Sequence, residues 1–202
     1  LTEVNLPDGL ELIKDHAFQN CKALTYIDLP DSITELYRDA FRDCTALAEI
    51  GYPAGLVTVT TNSYYRSPFY GCTALKRITV DAGVTVIPAH AFRGMTGLEE
   101  IVLPESLSSI GAYAFENCTS LKKINLTKNM TAIGDHVFMN CKGLEEIVIP
   151  ENITSIAAYA FENCEALKSI TIPSGVTAIK EYTFSGCTSL AEVNLPDGLE
   201  LI

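Results

Sequence analysis

The sequence predicts a solenoid, a fold in which the backbone winds into a stack of similar turns, and three observations support this. A leucine opens each of nine units, and all steps between these leucines except one, which is 28, are 23 residues. Each of eight phenylalanines is followed three residues later by Cys, or once by Met. Apolar residues also fill the same columns in unit after unit. Self-similarity at this period is typical of turns that pack on their neighbours rather than around one centre.

Each unit begins with a pattern close to LxxIxLP, which predicts a short parallel β-strand. In the fifth unit this segment reads LEEIVLP at positions 98–104. Apolar and outward-facing positions alternate, and proline ends the segment because it has no amide hydrogen to donate to a neighbouring strand. Strands of successive turns are expected to lie about 4.8 Å apart and in register.

The remainder of each unit predicts a second short strand and then one turn of helix. Segments such as SLSSI at 106–110 and NITSI at 152–156 have the apolar and β-branched content of a strand. The following AFxxC segment is too short for more than a single helical turn, so we predict a short helical turn there. The phenylalanines of these segments are expected to close the apolar interior as a ladder: Phe18, Phe41, Phe69, Phe92, Phe115, Phe138, Phe161 and Phe184.

Length and composition indicate a single domain over residues 1–202 without a membrane-inserted segment. The chain is 48% hydrophobic, and no linker or low-complexity run divides it. Its apolar runs are far shorter than the roughly 20 residues that span a bilayer. Residues 190–202 repeat residues 1–13 with one difference, and we expect this chain to be a segment of a longer array. The net charge of −11 argues against nucleic acid as a partner.

Seven cysteines share one column, and Met95 takes the eighth place. This exchange predicts a buried ladder of free thiols, because both side chains behave as soft apolar groups. No CxxC or CxxH spacing supports a zinc site, and we predict no metal. The three histidines, His16, His90 and His136, lie two residues before a phenylalanine. Other units carry Asp39, Ser67, Tyr113, Tyr159 or Tyr182 at this position. Packing of aromatic rings is therefore the expected role of these histidines.

No arrangement typical of an enzyme occurs in the sequence. Nucleotide-binding, metalloprotease and serine-hydrolase motifs are all missing, and no Ser, Cys or carboxylate departs from the repeat beside a histidine. We therefore predict no catalytic residues and no cofactor.

Charged residues on the predicted first strand alternate in sign from one turn to the next. The candidate residues are Lys76 and Arg77, then Glu99 and Glu100, then Lys122 and Lys123, then Glu145 and Glu146, and then Lys168. In a parallel stack each basic row would lie beside an acidic row. Two compatible interpretations follow: the rows set the register of the turns, or they form a surface that binds a partner.

The third unit contains an insertion of five residues. Eight residues separate Val59 from Pro68, where other units have three, and they read TTNSYYRS. Insertions in solenoids form loops on one face, often a binding face. Tyr64, Tyr65 and Arg66 are residue types enriched in interface hot spots. The alternative is a bulge without a role in binding.

The pattern LxxIxLP followed by AFxxC resembles the BspA-like class of leucine-rich repeats. LKSITIPSGVTAIKEYTFSGC at 167–187 and LEEIVLPESLSSIGAYAFENC at 98–118 show the match, which covers essentially the whole chain. The resemblance implies a right-handed leucine-rich-repeat coil of about nine 23-residue turns. It also implies a secreted or cell-surface protein of a host-associated bacterium or mucosal protist.

Two hypotheses for function follow from this resemblance. The first is a surface scaffold for protein binding that adheres to host matrix proteins such as fibronectin or fibrinogen, or to other cells. The second is a passive spacer that displays another domain. The sequence does not define an oligomeric state.

Overall fold

The computed structural model describes residues 2–60 and 66–201, and over them the backbone forms a parallel β-solenoid. Nine strands of a first column delimit about eight turns. They are β1 (Glu3–Val4), β3 (Tyr26–Asp28), β5 (Glu49–Gly51), β7 (Arg77–Thr79), β9 (Glu100–Val102), β11 (Lys123–Asn125), β13 (Glu146–Val148), β15 (Ser169–Thr171) and β16 (Glu192–Asn194). The second column contains β2 (Leu12–Ile13), β4 (Glu35–Leu36), β6 (Thr58–Val59), β8 (Val86–Ile87), β10 (Ser109–Ile110), β12 (Ala132–Ile133) and β14 (Ser155–Ile156). The prediction of two parallel strands per turn is confirmed.

Strands of successive turns pair in parallel and in register. Ile124 of β11 lies opposite Ile101 of β9 on one side and Ile147 of β13 on the other. The first column forms hydrogen-bonded groups of three, four and two strands, and a bridge between Tyr52 and Val80 connects the first two groups. Each side chain therefore lies next to the side chain that occupies the same place in the neighbouring unit.

The core is a set of ladders, of which the phenylalanine ladder is the most regular. Six neighbouring pairs are stacked, with ring centroids 5.2 to 5.7 Å apart and ring planes inclined by 3 to 20°. Phe115 and Phe138 are fully buried. Tyr52 replaces an aliphatic residue of the first strand, and its ring lies 5.6 Å from that of Phe92. The phenylalanines thus close the interior as predicted.

The AFxxC segment is not helical, so the prediction of a short helical turn there is wrong. Residues on either side of Phe adopt the left-handed backbone conformation, for example His16 (φ 59°) and Asn20 (φ 60°). Alternate amides in the segment bond to the next turn: Phe18 N–H donates to Ala40 O at 2.7 Å, and Asn20 N–H donates to Arg42 O at 2.8 Å. A helix needs consecutive right-handed residues. The segment therefore forms a third ladder of bonds between turns.

The cysteine column is a ladder of free thiols, and six of the seven thiols donate to a phenylalanine carbonyl of the preceding turn. Cys141 Sγ donates to the carbonyl of Phe115 on the preceding turn at 3.1 Å, and Cys164 Sγ donates to that of Phe138 at 3.2 Å. Burial raises the pKa of the Cys141 and Cys164 thiols well above the usual value. These thiols stay protonated and serve as weak hydrogen-bond donors inside the stack.

Candidate interaction surface

The first column of strands arranges the predicted charge rows side by side. Strand pairing places Arg77 opposite Glu100, and Lys123 between Glu100 and Glu146. Residues that are 23 positions apart in the sequence lie side by side on neighbouring strands of the stack. Charges that alternate in sign from unit to unit in the sequence therefore alternate in sign from strand to strand on the surface. The structure therefore brings the basic and acidic candidates together as the sequence predicted.

Ion pairs connect these rows across the turns. Glu99 accepts from Lys122 at 3.2 Å and lies 3.6 Å from Lys76 Nζ on its other side. Glu145 Oε2 lies 2.7 Å from Lys168 Nζ, and Arg77 lies 3.7 Å from Glu100. Glu99 thus bridges two basic rows in the middle of the surface.

Hydrogen bonding within these pairs shifts the ionisation of the groups. The bond from Lys122 lowers the pKa of Glu99, and the bond from Lys168 lowers the pKa of Glu145. The same bond raises the pKa of Lys168. These shifts favour the charged forms of Glu99, Glu145 and Lys168.

The paired side chains nevertheless remain open to solvent. The exposed fraction of the side chain is 62% for Lys122, 53% for Glu145 and 68% for Lys168. Val148, next to the last acidic row, is 66% exposed and adds an apolar contact point. We refer to this exposed side of the first column, from β7 to β15, as the strand face.

Only part of the predicted insertion site can be described. Tyr64 and Tyr65 lie outside the described residues. Arg66 is half-buried, and its guanidinium carbon lies 4.7 Å from the centre of the Tyr70 ring. This arginine therefore packs on an aromatic residue of its own chain, close to the buried Ser67.

Histidines and tyrosines form a stack of five rings along another edge of the solenoid. His90, Tyr113, His136, Tyr159 and Tyr182 follow one another with ring centroids 4.4 to 5.1 Å apart. The predicted ring packing of His90 and His136 is confirmed. Burial, together with the nearby Arg93 charge, lowers the pKa of His90 to about 4. Among the residues described, no group of three His, Cys, Asp or Glu could hold a metal ion.

Sequence reasoning missed three polar contacts between turns. Arg93 Nε lies 2.6 Å from Glu116 Oε2, in a pair that is largely buried. The amide of Asn140 donates to Asn117 at 3.0 Å, and that of Asn163 donates to Asn140 at 2.9 Å. Each pair is separated by 23 residues, so the signal used for the strand face could also have found these contacts.

Comparison with known proteins decides the family. The sequence pattern described as "BspA type Leucine rich repeat region" matches residues 1–120, 65–191 and 154–202, with six copies. The chain belongs to this family. The BspA-type fold also agrees with the leucine-rich repeat protein TpLRR of T. pallidum, which is 31% identical. The match covers 82% of this chain and 78% of that one, with a TM-score of 0.67.

Two further crystal structures share the fold with this BspA-type chain. A leucine-rich repeat protein of Eubacterium ventriosum is 16% identical over 98% of this chain and 80% of its own, with a TM-score of 0.52. The pneumococcal vaccine antigen PcpA is 19% identical over 92% of this chain and 60% of its own, with a TM-score of 0.58. No curated protein sequence matches the chain.

The family assignment gives a general function. BspA-type leucine-rich repeats have the architecture of protein-interaction scaffolds, a fold that is typically non-enzymatic. Over residues 2–60 and 66–201 there is no helix of the length and apolar character needed to cross a membrane.

Proposed function

We propose that this chain acts outside the cell or on its surface as an adhesion scaffold. Its ligands are extracellular proteins, either host matrix proteins such as fibronectin or fibrinogen or proteins of other cells. The strand face is the proposed contact surface, and the alternating rows of exposed charge are the observation that carries the proposal. Adhesive function is what the BspA-like resemblance implies.

The strand face has physical properties that suit protein recognition. Its charged side chains are held by pairs such as Lys122–Glu99 and Lys168–Glu145, so less side-chain freedom is lost when a partner binds. Alternating charge favours partners with a matching stripe pattern and repels others, which contributes specificity and rate of association more than affinity.

Binding to immobilised fibronectin and fibrinogen tests the proposal. We expect saturable binding with a Kd of about 1 µM or tighter, weakened by added salt. Exchanging the charges of one facing pair, Lys123→Glu with Glu146→Lys, should weaken binding at least about tenfold, which corresponds to roughly 1.4 kcal/mol. Net charge is unchanged in this variant.

A matched control uses an ion pair in another part of the turn. Lys142 Nζ lies 2.7 Å from Glu165, and Lys142→Glu with Glu165→Lys exchanges that pair in the same way. The control variant should bind like the wild type.

If both exchanges leave binding intact while Tyr64→Ala with Tyr65→Ala abolishes it, the insertion and not the strand face is the site. If the wild type binds neither ligand, the spacer hypothesis is favoured.

The cellular location is tested separately on intact cells. Protease added to the outside of the source cells should remove the chain while a cytosolic marker survives. Protection of the chain from external protease until the cells are broken would contradict an extracellular role.

A further inference from the structure

Each charged row of the strand face between β7 and β13 carries two like charges side by side. The rows are Lys76 with Arg77, Glu99 with Glu100, Lys122 with Lys123, and Glu145 with Glu146, and we call them the central rows. A single column of alternating charges is enough to favour register, and the ion pairs of Glu99 with Lys76 and Lys122 already form one. The second column widens each row into a stripe of uniform sign.

The central rows lie on one continuous sheet. Strands β7, β9, β11 and β13 form a single four-stranded group, whereas β15 pairs with β16 in a separate one. Pairing is in register at every step of the four-stranded group. The stripes are therefore held at the strand spacing of about 4.8 Å, and a partner that matches all of them needs stripes of alternating sign at the same spacing. A second copy of the chain has such stripes.

Symmetry decides whether two copies of this pattern attract or repel each other. In a face-to-face dimer whose two-fold axis is parallel to the strands, rows at equal distances on either side of the axis face each other. An axis that lies over a row therefore brings rows of like sign together. An axis midway between two rows brings rows of opposite sign together, because the sign alternates at every step.

The axis midway between β9 and β11 gives the most complete match. The row of β7 then faces that of β13, and the row of β9 faces that of β11. The facing pairs are Lys76–Glu145, Arg77–Glu146, Glu99–Lys122 and Glu100–Lys123, each formed twice. With the axis midway between β11 and β13, Lys76 would face Ala191 and Glu100 would face Ser169, which are uncharged. Because both residues of a row have the same sign, the match also survives a shift of one residue along the strands.

We propose that the strand face forms a two-fold dimer with a second copy of the chain, in which the central rows of the two copies face each other across an axis between β9 and β11. Each charged side chain keeps its neighbours in its own chain and gains an oppositely charged one in the second copy. Glu99 is 40% exposed and Lys122 is 62% exposed, so both have open surface for this contact. Val148, which is 66% exposed, would face Thr79 of the second copy and adds an apolar contact.

This dimer goes beyond the proposed adhesive function, because it gives the same face a second partner. Charge complementarity contributes specificity and rate of association more than affinity, so we expect a weak dimer with a Kd on the order of 100 µM at low salt. The dimer should dissociate near 1 M salt, where the Debye length is about 3 Å. An extracellular protein bound to the central rows would compete with the second copy.

Two complementary charge reversals test the dimer by sedimentation velocity at low salt. Glu99→Lys with Glu100→Lys makes the row of β9 basic, so in a dimer of this variant it faces the basic row of β11. Lys122→Glu with Lys123→Glu makes the row of β11 acidic, so in a dimer of that variant it faces the acidic row of β9. Each variant alone should therefore self-associate at least about tenfold more weakly than the wild type. An equimolar mixture should restore a dimer with the wild-type affinity, because all facing rows again have opposite signs.

A matched control separates the proposed contact from a general effect of net charge. Lys22→Glu with Lys142→Glu changes the net charge as much as Lys122→Glu with Lys123→Glu does. Both lysines are exposed, directly follow the cysteine column and lie outside the central rows. A fluorescent label on the variant with a basic β9 row identifies its partner. The labelled variant should not form a mixed dimer with the control, in which the row of β11 is still basic.

Three outcomes would overturn the dimer: a wild type that stays monomeric up to about 1 mM at low salt, reversed variants that associate as tightly as the wild type, or a mixture that restores no dimer. None of these measurements includes a host ligand. Fibronectin binding by a chain that stays monomeric would therefore contradict the dimer and support the adhesion proposal, whereas a dimer that binds no host protein would do the reverse.

Discussion

Two residues in each regular turn adopt the left-handed backbone conformation, and the two positions carry different side chains. Before the cysteine column all eight units have Asn, Asp or Gly, which tolerate this conformation best. Before the phenylalanine column the residue is His, Asp or Tyr, for example Tyr113 (φ 61°) and His136 (φ 57°). Ring stacking on the neighbouring turns accompanies the conformation at these aromatic residues. Local preference explains the first position, and packing between turns explains the second.

Substitutions at Asn140 separate backbone conformation from side-chain bonding. Asn140 has a φ of 59° and is bonded to Asn117 and Asn163. Asn140→Gly loses the side-chain bonds but keeps access to this conformation, as at Gly94 in another unit. Asn140→Ala loses the side-chain bonds and also disfavours the left-handed conformation. This variant should be less stable than the glycine variant by about 1 to 2 kcal/mol. Urea denaturation of the two variants measures the difference, and equal stability would contradict this account of the position.

His90 predicts a specific acid sensitivity. Its folded-state pKa is about 4, below the ordinary value of 6.5, because burial and Arg93 disfavour the charged form. As pH falls from 6.5 towards 4, the unfolded chain gains a proton on this histidine that the folded chain does not accept, so stability decreases. His90→Tyr keeps an aromatic ring in the stack and removes the titration. It should reduce the loss of stability between pH 7 and pH 4 by about 1 to 2 kcal/mol, after allowance for partial exposure. An identical pH profile for the two proteins would contradict this role.

At the scale of the element, each strand is too short to be stable alone. The sheets are held together by the backbone hydrogen bonds and side-chain contacts between strands of neighbouring turns. Strands have two or three residues, so each depends on its neighbours in the stack. Seven of the eight ion pairs among the described residues join side chains one repeat apart, and only Arg42–Asp43 lies within a turn. Charge complementarity therefore acts mainly between turns, where it favours the correct register.

Charge reversal in one strand tests this contribution. Glu99→Lys with Glu100→Lys would place three basic rows in succession, and should lower the Tm by a few degrees at low salt. The destabilisation should diminish near 1 M salt, where the Debye length is about 3 Å. Glu99→Gln with Glu100→Gln removes the pairs without repulsion and should lower the Tm less. An unchanged Tm for the reversed variant at low salt would contradict the claim that charge pairs between turns favour the correct register.

Strands and charge rows could be predicted from sequence, whereas the backbone of the AFxxC segment could not be predicted in full. The alternation of apolar and outward-facing positions in LxxIxLP predicts the strands β9 and β11. The 23-residue step predicts which residues of the neighbouring turns lie beside Glu99. The column of Asn, Asp and Gly before cysteine was an available signal against a helix. His16 and Tyr113 carry no such signal, because their conformation depends on bonds to the following turn, such as His16 N–H to Arg38 O.

At the scale of the molecule, stability and recognition both follow from repetition. Interior units are covered on two sides, as the fully buried Phe115 and Leu121 show. Stability of a solenoid is approximately a sum over units and their interfaces. The same repetition spreads charge over several turns of the strand face, which provides an extended surface rather than a pocket.

The sequence by itself determined the period, the parallel stacking and the residues that are neighbours across turns. The reason is that residues separated by one repeat length come into contact when the turns stack in register. Only the tertiary structure decided which conformation the AFxxC segment adopts and which groups from different columns meet, such as the Cys141 thiol with the Phe115 carbonyl. Those contacts depend on how the columns are positioned around one turn. That arrangement arises from hydrogen bonds between turns and leaves no periodic signal of its own.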